Sequence, residues 1–162
     1  YMNTTSACGE LLPGEITREE LLYCAAFDDE MFTGIITGAQ LHALLEAVYE
    51  PERFGNNAAI AFSGFHAAVD HTRPSGQKVL SVRHPDGTPI APDERLSVTV
   101  SAYMASGGND TGAIAGQIDW KPTGRHYHEA VSAYAKSLGV LTVADYPRLH
   151  ETGEPQNNHA PY

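Results

Sequence analysis

Apolar residues in this chain follow two different spacings, and the spacing changes with position. Leu41, Leu44, Leu45 and Val48 fall at i, i+3, i+4 and i+7, the stripe of a helix made for packing on a sheet. Thr37-Gly38-Ala39-Gln40 just before it has the spacing of a capping box, so the helix is expected to start there and to end at Pro51. A shorter helix is expected after Thr17, where Glu20 again has capping-box spacing and Glu19 and Glu20 sit in the positive first turn. Leu21, Leu22 and Cys24 are its apolar side, and Pro13-Gly14 marks a turn ahead of it. A last helix is expected over about residues 124–138, because Tyr127, Val131, Tyr134, Ala135 and Leu138 share one face.

Between these helices the period is two. Residues 31–36, 58–62, 65–70 and 78–84 read as strands, the middle pair broken at Ser63-Gly64 and the last closed by Pro85-Asp86-Gly87, a hairpin-type turn. Over residues 95–102, Leu96, Val98 and Val100 alternate with Ser97, Thr99 and Ser101. That strand is expected to end in Tyr103 and run directly into the paired glycines Gly107 and Gly108, followed by Asn109 and Asp110. Helices at both ends of a run of strands predict an α+β domain with a mixed sheet and packed helices. The domain is assigned to residues 1–150 and a polar, proline-containing, flexible tail to residues 151–162.

Composition narrows the partners. The 162 residues carry a formal net charge of −10, which excludes a nucleic-acid backbone, since no basic surface exists to release counterions. No apolar run approaches the roughly 20 residues that span a bilayer, and no signal peptide opens the chain. The start, Tyr1-Met2-Asn3-Thr4-Thr5, looks like a cut inside a longer protein. Cys8 and Cys24 are the two cysteines, and they fit either one disulfide or two free thiols.

Catalytic constellations are sparse. His126 and His128 flank Tyr127, and on a helix such neighbours point apart and chelate one metal poorly. His66, His71 and His84 lie in or near strands with no spacing that demands convergence. Asp28, Asp29 and Glu30 could bind a cation or do acid–base work, although three acids ahead of a strand are more often a solvated loop. No Ser/His/Asp order, phosphate-binding P-loop or HExxH helix occurs, so this chain by itself lacks an engine. What remains is Tyr103 with Gly107, Gly108, Asn109 and Asp110: a flat ring and hydrogen-bonding side chains beside a backbone that a ligand can approach closely. The paired glycines fit either a phosphate cradle or a tight turn.

Several segments together carry a resemblance. They are Pro13-Gly14-Glu15-Ile16-Thr17, Leu21-Leu22-Tyr23, Phe27, Ile36-Thr37-Gly38-Ala39-Gln40-Leu41, Phe62-Ser63-Gly64 with Asp70, the Asp86-Gly87 turn, and Tyr103-Met104-Ala105-Ser106-Gly107-Gly108. In this order and at these separations, over about residues 9–115, the chain resembles the C-terminal domain of the 5'-nucleotidase family. That family includes UDP-sugar hydrolases and 2',3'-cyclic phosphodiesterases.

The resemblance implies a division of labour. An N-terminal metallophosphoesterase domain, absent from this chain, would hold two divalent metal ions and hydrolyse the phosphate ester. The C-terminal domain would grip the nucleoside or nucleotide and deliver its phosphate. It also implies an extracellular, periplasmic or cell-surface location. Carried over by position, the second stacking aromatic is Tyr103, and the acid that binds ribose hydroxyls falls on Asn109, with Asp110 as its neighbouring substitute. The first stacking aromatic falls on Ala59, where Phe54, Phe62 and Phe65 are the nearby rings. The arginine of the family's Asn-Gly-Gly-Ile-Arg falls on Cys8, and a thiol cannot reproduce bidentate guanidinium recognition. Two readings follow: a nucleoside-recognition domain without catalysis of its own, or a non-enzymatic interaction or structural module of the same fold with an eroded pocket.

Overall fold

The stripe at Leu41, Leu44, Leu45 and Val48 is the centre of the molecule, each side chain at most 2% exposed. It lies on helix α2 (Gly38–Val48), and Thr37 starts that helix as the spacing predicts. The Thr37 hydroxyl accepts from the Gln40 N–H at 3.1 Å, and the Gln40 side chain accepts from the Thr37 N–H at 2.9 Å. Two further N–H groups of the first turn, those of Gly38 and Ala39, donate to the Glu94 and Pro92 carbonyls, so the buried helix start leaves few donors unmet. Gly38 allows that contact, since a Cβ there would collide with the Ala91 carbonyl oxygen. Residues 2–3, 9–25, 27–49, 60–108, 111–142 and 148–153 are described by the structure, a computed structural model.

The other elements are β1 (Met2–Asn3), α1 (Arg18–Tyr23), β2 (Glu30–Thr37), β3 (Ile60–Ala61), β4 (His66–Asp70), β5 (Val79–Arg83), β6 (Arg95–Ser101), α3 (Ala102–Ala105), α4 (Gly112–Ala115), β7 (Lys121–His126), α5 (Tyr127–Leu138) and β8 (Leu149–Thr152). The class is α+β, as the pattern predicts, with the strands divided among three small sheets: β1-β3, β6-β2-β7 and β5-β4-β8. The β6-β2-β7 sheet is antiparallel throughout. In the third sheet β4 pairs antiparallel with β5 and parallel with β8, which makes it mixed. Helix α2 touches β2 of one sheet and β5 of another, and its buried stripe joins Ile36, Phe62, Phe65, Val69, Val79 and Val82 in one core. Glu46 on α2 reinforces that junction, accepting from the Lys78 and Val79 N–H groups at 3.0 and 2.8 Å.

Three expectations need correction. Strand β6 stops at Ser101, not at Tyr103, because the Ser101 hydroxyl caps a helical turn by accepting from the Met104 N–H at 3.3 Å. Tyr103 therefore sits on α3, beside the wholly buried Met104. The last helix begins at Tyr127, and residues 121–126 form β7 against β2. Gly124 has φ +68° and His126 is extended, neither compatible with a helix interior. The apolar face of α5 is only half covered, with Tyr134 67% exposed. Finally, Glu151 and Thr152 belong to β8, opposite Val69 and Asp70. Residues 154–162, the rest of the expected tail, lie outside the described residues, as do Pro51 and residues 58–59 of the expected strand over 58–62.

The turn at Pro85-Asp86-Gly87 forms, with the His84 N–H donating to the Thr88 carbonyl at 2.8 Å. It closes a single bridge between Arg83 and Pro89 rather than a two-stranded hairpin. Strand β6, next along the chain, pairs with β2 instead.

Candidate functional site

The segment from Ser101 to Thr111 is built around one exposed ring. Met104 anchors α3 from below while Tyr103, one position earlier on the turn, faces outward and is 47% exposed. The Tyr103 carbonyl accepts from the Gly108 N–H at 2.9 Å and from the Ser106 hydroxyl at 2.8 Å. Both bonds fold the chain back over the turn, so Gly108 returns beside the residue that started it. Gly107 has φ +93°, a backbone conformation that favours glycine. A Cβ on Gly107 would also meet the Gly112 Cα at 2.6 Å, so the two ends of the loop touch backbone to backbone. The paired glycines thus form a tight turn.

Thr111 completes the clamp, and nothing in the composition singled it out. It is wholly buried, its hydroxyl donates to the Gly108 carbonyl at 2.8 Å, and its carbonyl accepts from the Ile114 and Ala115 N–H groups. A Thr side chain bonding the carbonyl three residues back is a recurrent local motif, and that spacing to Gly108 was the available signal. Asn109 and Asp110, between Gly108 and Thr111, lie outside the described residues, as do Cys8, Phe54 and Ala59.

Phe62 and Phe65 pair with each other. Their rings stack on each other with centroids 4.2 Å apart and planes 4° from parallel, and each residue is 8% exposed. Both rings are spent in the core, which corrects the expectation that either could replace a stacking aromatic at Ala59.

Four of the histidines divide among three places. His71 pairs with Glu151 at 2.9 Å and His84 with Glu94 at 2.9 Å, so the two do not converge. His126 and His128 do approach a common residue, because His126 lies in β7 and only His128 is on the helix. Each Nδ1 is 3.7 Å from a carboxylate oxygen of Asp28. The remaining ring contacts use main chain: His126 Nδ1 to the Asp28 carbonyl at 3.0 Å, and His128 Nε2 to the Ala25 carbonyl at 2.6 Å. The hydrogen bond that the His126 ring donates to the Asp28 carbonyl, followed by the charges of Asp28, Glu30 and Glu129, pushes the His126 pKa up.

The acidic run is accordingly structural. The Asp28 carboxylate accepts the His128 N–H at 2.9 Å, the Asp29 carbonyl accepts the Tyr127 N–H at 2.9 Å, and Glu30 accepts the Gly124 N–H at 3.3 Å. An acid at a helix N-terminus is favoured by its dipole and free donors. This corrects the solvated-loop reading, whose error was that the partner helix is distant in sequence. Among the described residues no group of three or more His, Cys, Asp or Glu side chains could hold a metal ion. Cys24 is a free thiol.

A family model described as the 5'-nucleotidase, C-terminal domain, matches residues 1–115. The chain belongs to that family. Similarity to solved structures extends past the matched segment. A 5'-nucleotidase precursor from Thermus thermophilus superposes with a TM-score of 0.82 at 25% identity, over 95% of this chain and 31% of that one. An NAD nucleotidase from Haemophilus influenzae reaches the same TM-score of 0.82 at 17% identity, over 93% of this chain and 29% of its own, which speaks to the fold alone. An apyrase from Tabanus yao is 27% identical over 146 residues, 84% of this chain and 26% of the apyrase. The chain therefore spans about a third or less of each relative it matches.

Proposed function

We propose that this chain is the nucleoside-recognition domain of a secreted, metal-dependent nucleotide phosphohydrolase. The observation that carries the reading is Tyr103: an aromatic ring about half exposed on a turn closed by hydrogen bonds from Ser106 and Gly108 to its own carbonyl. Such a ring offers a base a pre-formed surface at little entropic cost. Asn109 and Asp110 follow directly in sequence, and in this reading an amide or carboxylate there takes the ribose hydroxyls. A companion N-terminal domain would supply two divalent metal ions, which activate a water and neutralise the phosphate. This chain's part is to hold and orient the nucleoside. Membership of the 5'-nucleotidase C-terminal domain family and the likeness to a Thermus thermophilus 5'-nucleotidase support the assignment.

The second reading, a structural module with an eroded pocket, draws on Phe62 and Phe65, which stack on each other in the core. One titration separates the two. Adenosine, uridine and AMP are added to the chain while the Tyr103 ring resonances are followed by NMR. The recognition reading expects saturable shifts. It also expects Tyr103→Ala to weaken affinity by about 5- to 150-fold, the equivalent of about 1–3 kcal/mol for one stacked base. Absence of binding at millimolar ligand would favour the module.

A further inference from the structure

The paired glycines have different jobs, and only one of them concerns the backbone. Gly107 needs its positive φ and touches the Gly112 Cα, so its missing side chain is a requirement of the turn itself. Gly108 is not among the glycines with positive φ, so its φ does not by itself call for glycine. Its crowding has another source. A Cβ on Gly108 would run into Tyr103 Cε1 and lie 2.5 Å from Cδ1 and 2.6 Å from Cζ. These are consecutive atoms along one side of the ring. The Gly108 N–H meanwhile bonds the Tyr103 carbonyl at 2.9 Å, and the Gly108 carbonyl is held by the buried Thr111 hydroxyl at 2.8 Å. The Gly108 main chain is thus hydrogen-bonded on both sides, and the side-chain torsions of Tyr103 are the softer coordinate.

We infer that Gly108 is a positioning residue that sets the orientation of the Tyr103 ring by the absence of a Cβ, without itself binding ligand. This deepens the proposed nucleoside site and rests on it for the affinity arm of the test, but not for the structural arm. The steric argument fixes a sign. Gly108→Ala leaves the turn and the core intact and rotates the Tyr103 ring away from its present rotamer, because side-chain torsions are softer than a doubly hydrogen-bonded backbone. Gly107→Ala does the opposite, straining the loop and loosening the fold.

The experiment is a double-mutant cycle on the 162-residue chain, with Gly108→Ala and Tyr103→Ala singly and together, titrated with adenosine. Gly108→Ala is expected to weaken adenosine in the parent background by between about 2-fold and the full Tyr103→Ala loss, the lower bound being the cost of an off-rotamer ring. It is expected to change nothing in the Tyr103→Ala background. Equal weakening in both backgrounds would overturn the inference, because Gly108 would then act other than through the ring. The second readout needs no ligand: Tyr103 ring resonances and their cross-peaks to the Gly108 Hα should move in Gly108→Ala, while core methyl resonances stay in place. Unmoved Tyr103 resonances would overturn the inference even if affinity fell. If the parent chain binds no adenosine, the nucleoside site fails and the ring resonances alone decide the role of Gly108. If Gly108→Ala does not fold, Gly108→Ala with Tyr103→Ala, which removes the collision, should fold, and its failure would refute the steric argument.

Discussion

Thr111→Val tests the least conspicuous part of the site. The substitution keeps the shape of the side chain and removes its hydroxyl. In the folded chain that hydroxyl is wholly buried and donates to the Gly108 carbonyl at 2.8 Å. Without it the carbonyl keeps only the longer contact from the Thr111 N–H, at 3.4 Å. Leaving an acceptor poorly satisfied in this part-buried turn costs about 1–3 kcal/mol, and burying the extra methyl offsets about 0.8 kcal/mol of that. The net loss is then on the order of 0.5–2 kcal/mol. For a domain of this length each kcal/mol moves the thermal midpoint by about 2–4 °C, so a fall of about 1–8 °C is expected. Thermal and urea unfolding by circular dichroism measure it, with Thr111→Ser as the control that retains the hydrogen bond. The reasoning also requires Tyr103 to respond, because its carbonyl is bonded by the Gly108 N–H on the same residue. An unchanged midpoint with unchanged Tyr103 ring resonances would refute the clamp.

Other expectations follow from the same contacts. Leu45→Ala, at a side chain with no exposure, should cost about 2–5 kcal/mol through lost transfer energy and a cavity, and a urea midpoint equal to the parent's would contradict the core described. Gly34→Ala would place a Cβ 2.7 Å from Ile118 Cγ2 and 2.8 Å from Trp120 Cε3, so overpacking of about 1–3 kcal/mol is expected, read by chemical denaturation. His126 has a raised pKa, so the stability it contributes is fully present below its unfolded pKa and is lost as pH rises through the folded one. The midpoint difference between the parent and His126→Gln should therefore be largest at mildly acid pH and shrink toward alkaline pH, and growth with rising pH would show the sign to be wrong. The chain alone, supplied with manganese or zinc, is expected to release no phosphate from AMP, and turnover that copurifies with it through successive columns would refute the division of labour.

Local chemistry was readable where the deciding partners were close in sequence. Both capping boxes, Thr17 with Glu20 and Thr37 with Gln40, formed as their spacing predicted, because the groups that satisfy each other lie three residues apart. The α2 stripe and the alternation along β6 likewise reflect periods that the backbone imposes on any buried face. The turn at Tyr103 was legible as a candidate site because an aromatic residue and paired glycines stand together. Its secondary structure was misread, since Ser101 can continue a strand or cap a helix and the buried Met104 favours the helical turn.

By itself, then, the sequence determined the starts of α1 and α2, the core stripe and the family membership. Tertiary structure decided everything that depends on partners far along the chain. Residues 121–126 form a strand because β2 offers an open edge, and Glu151 joins a sheet because β4 does. Asp28 became a helix cap across 100 residues, and Phe62 was placed in the core by stacking on Phe65. The most consequential of these decisions is at Gly108. In the sequence it is the second half of a flexible pair, whereas in the fold it is a pinned stretch of backbone whose missing Cβ leaves room for Tyr103. Steric exclusion acts between atoms in space, and only the folded chain brings those atoms together.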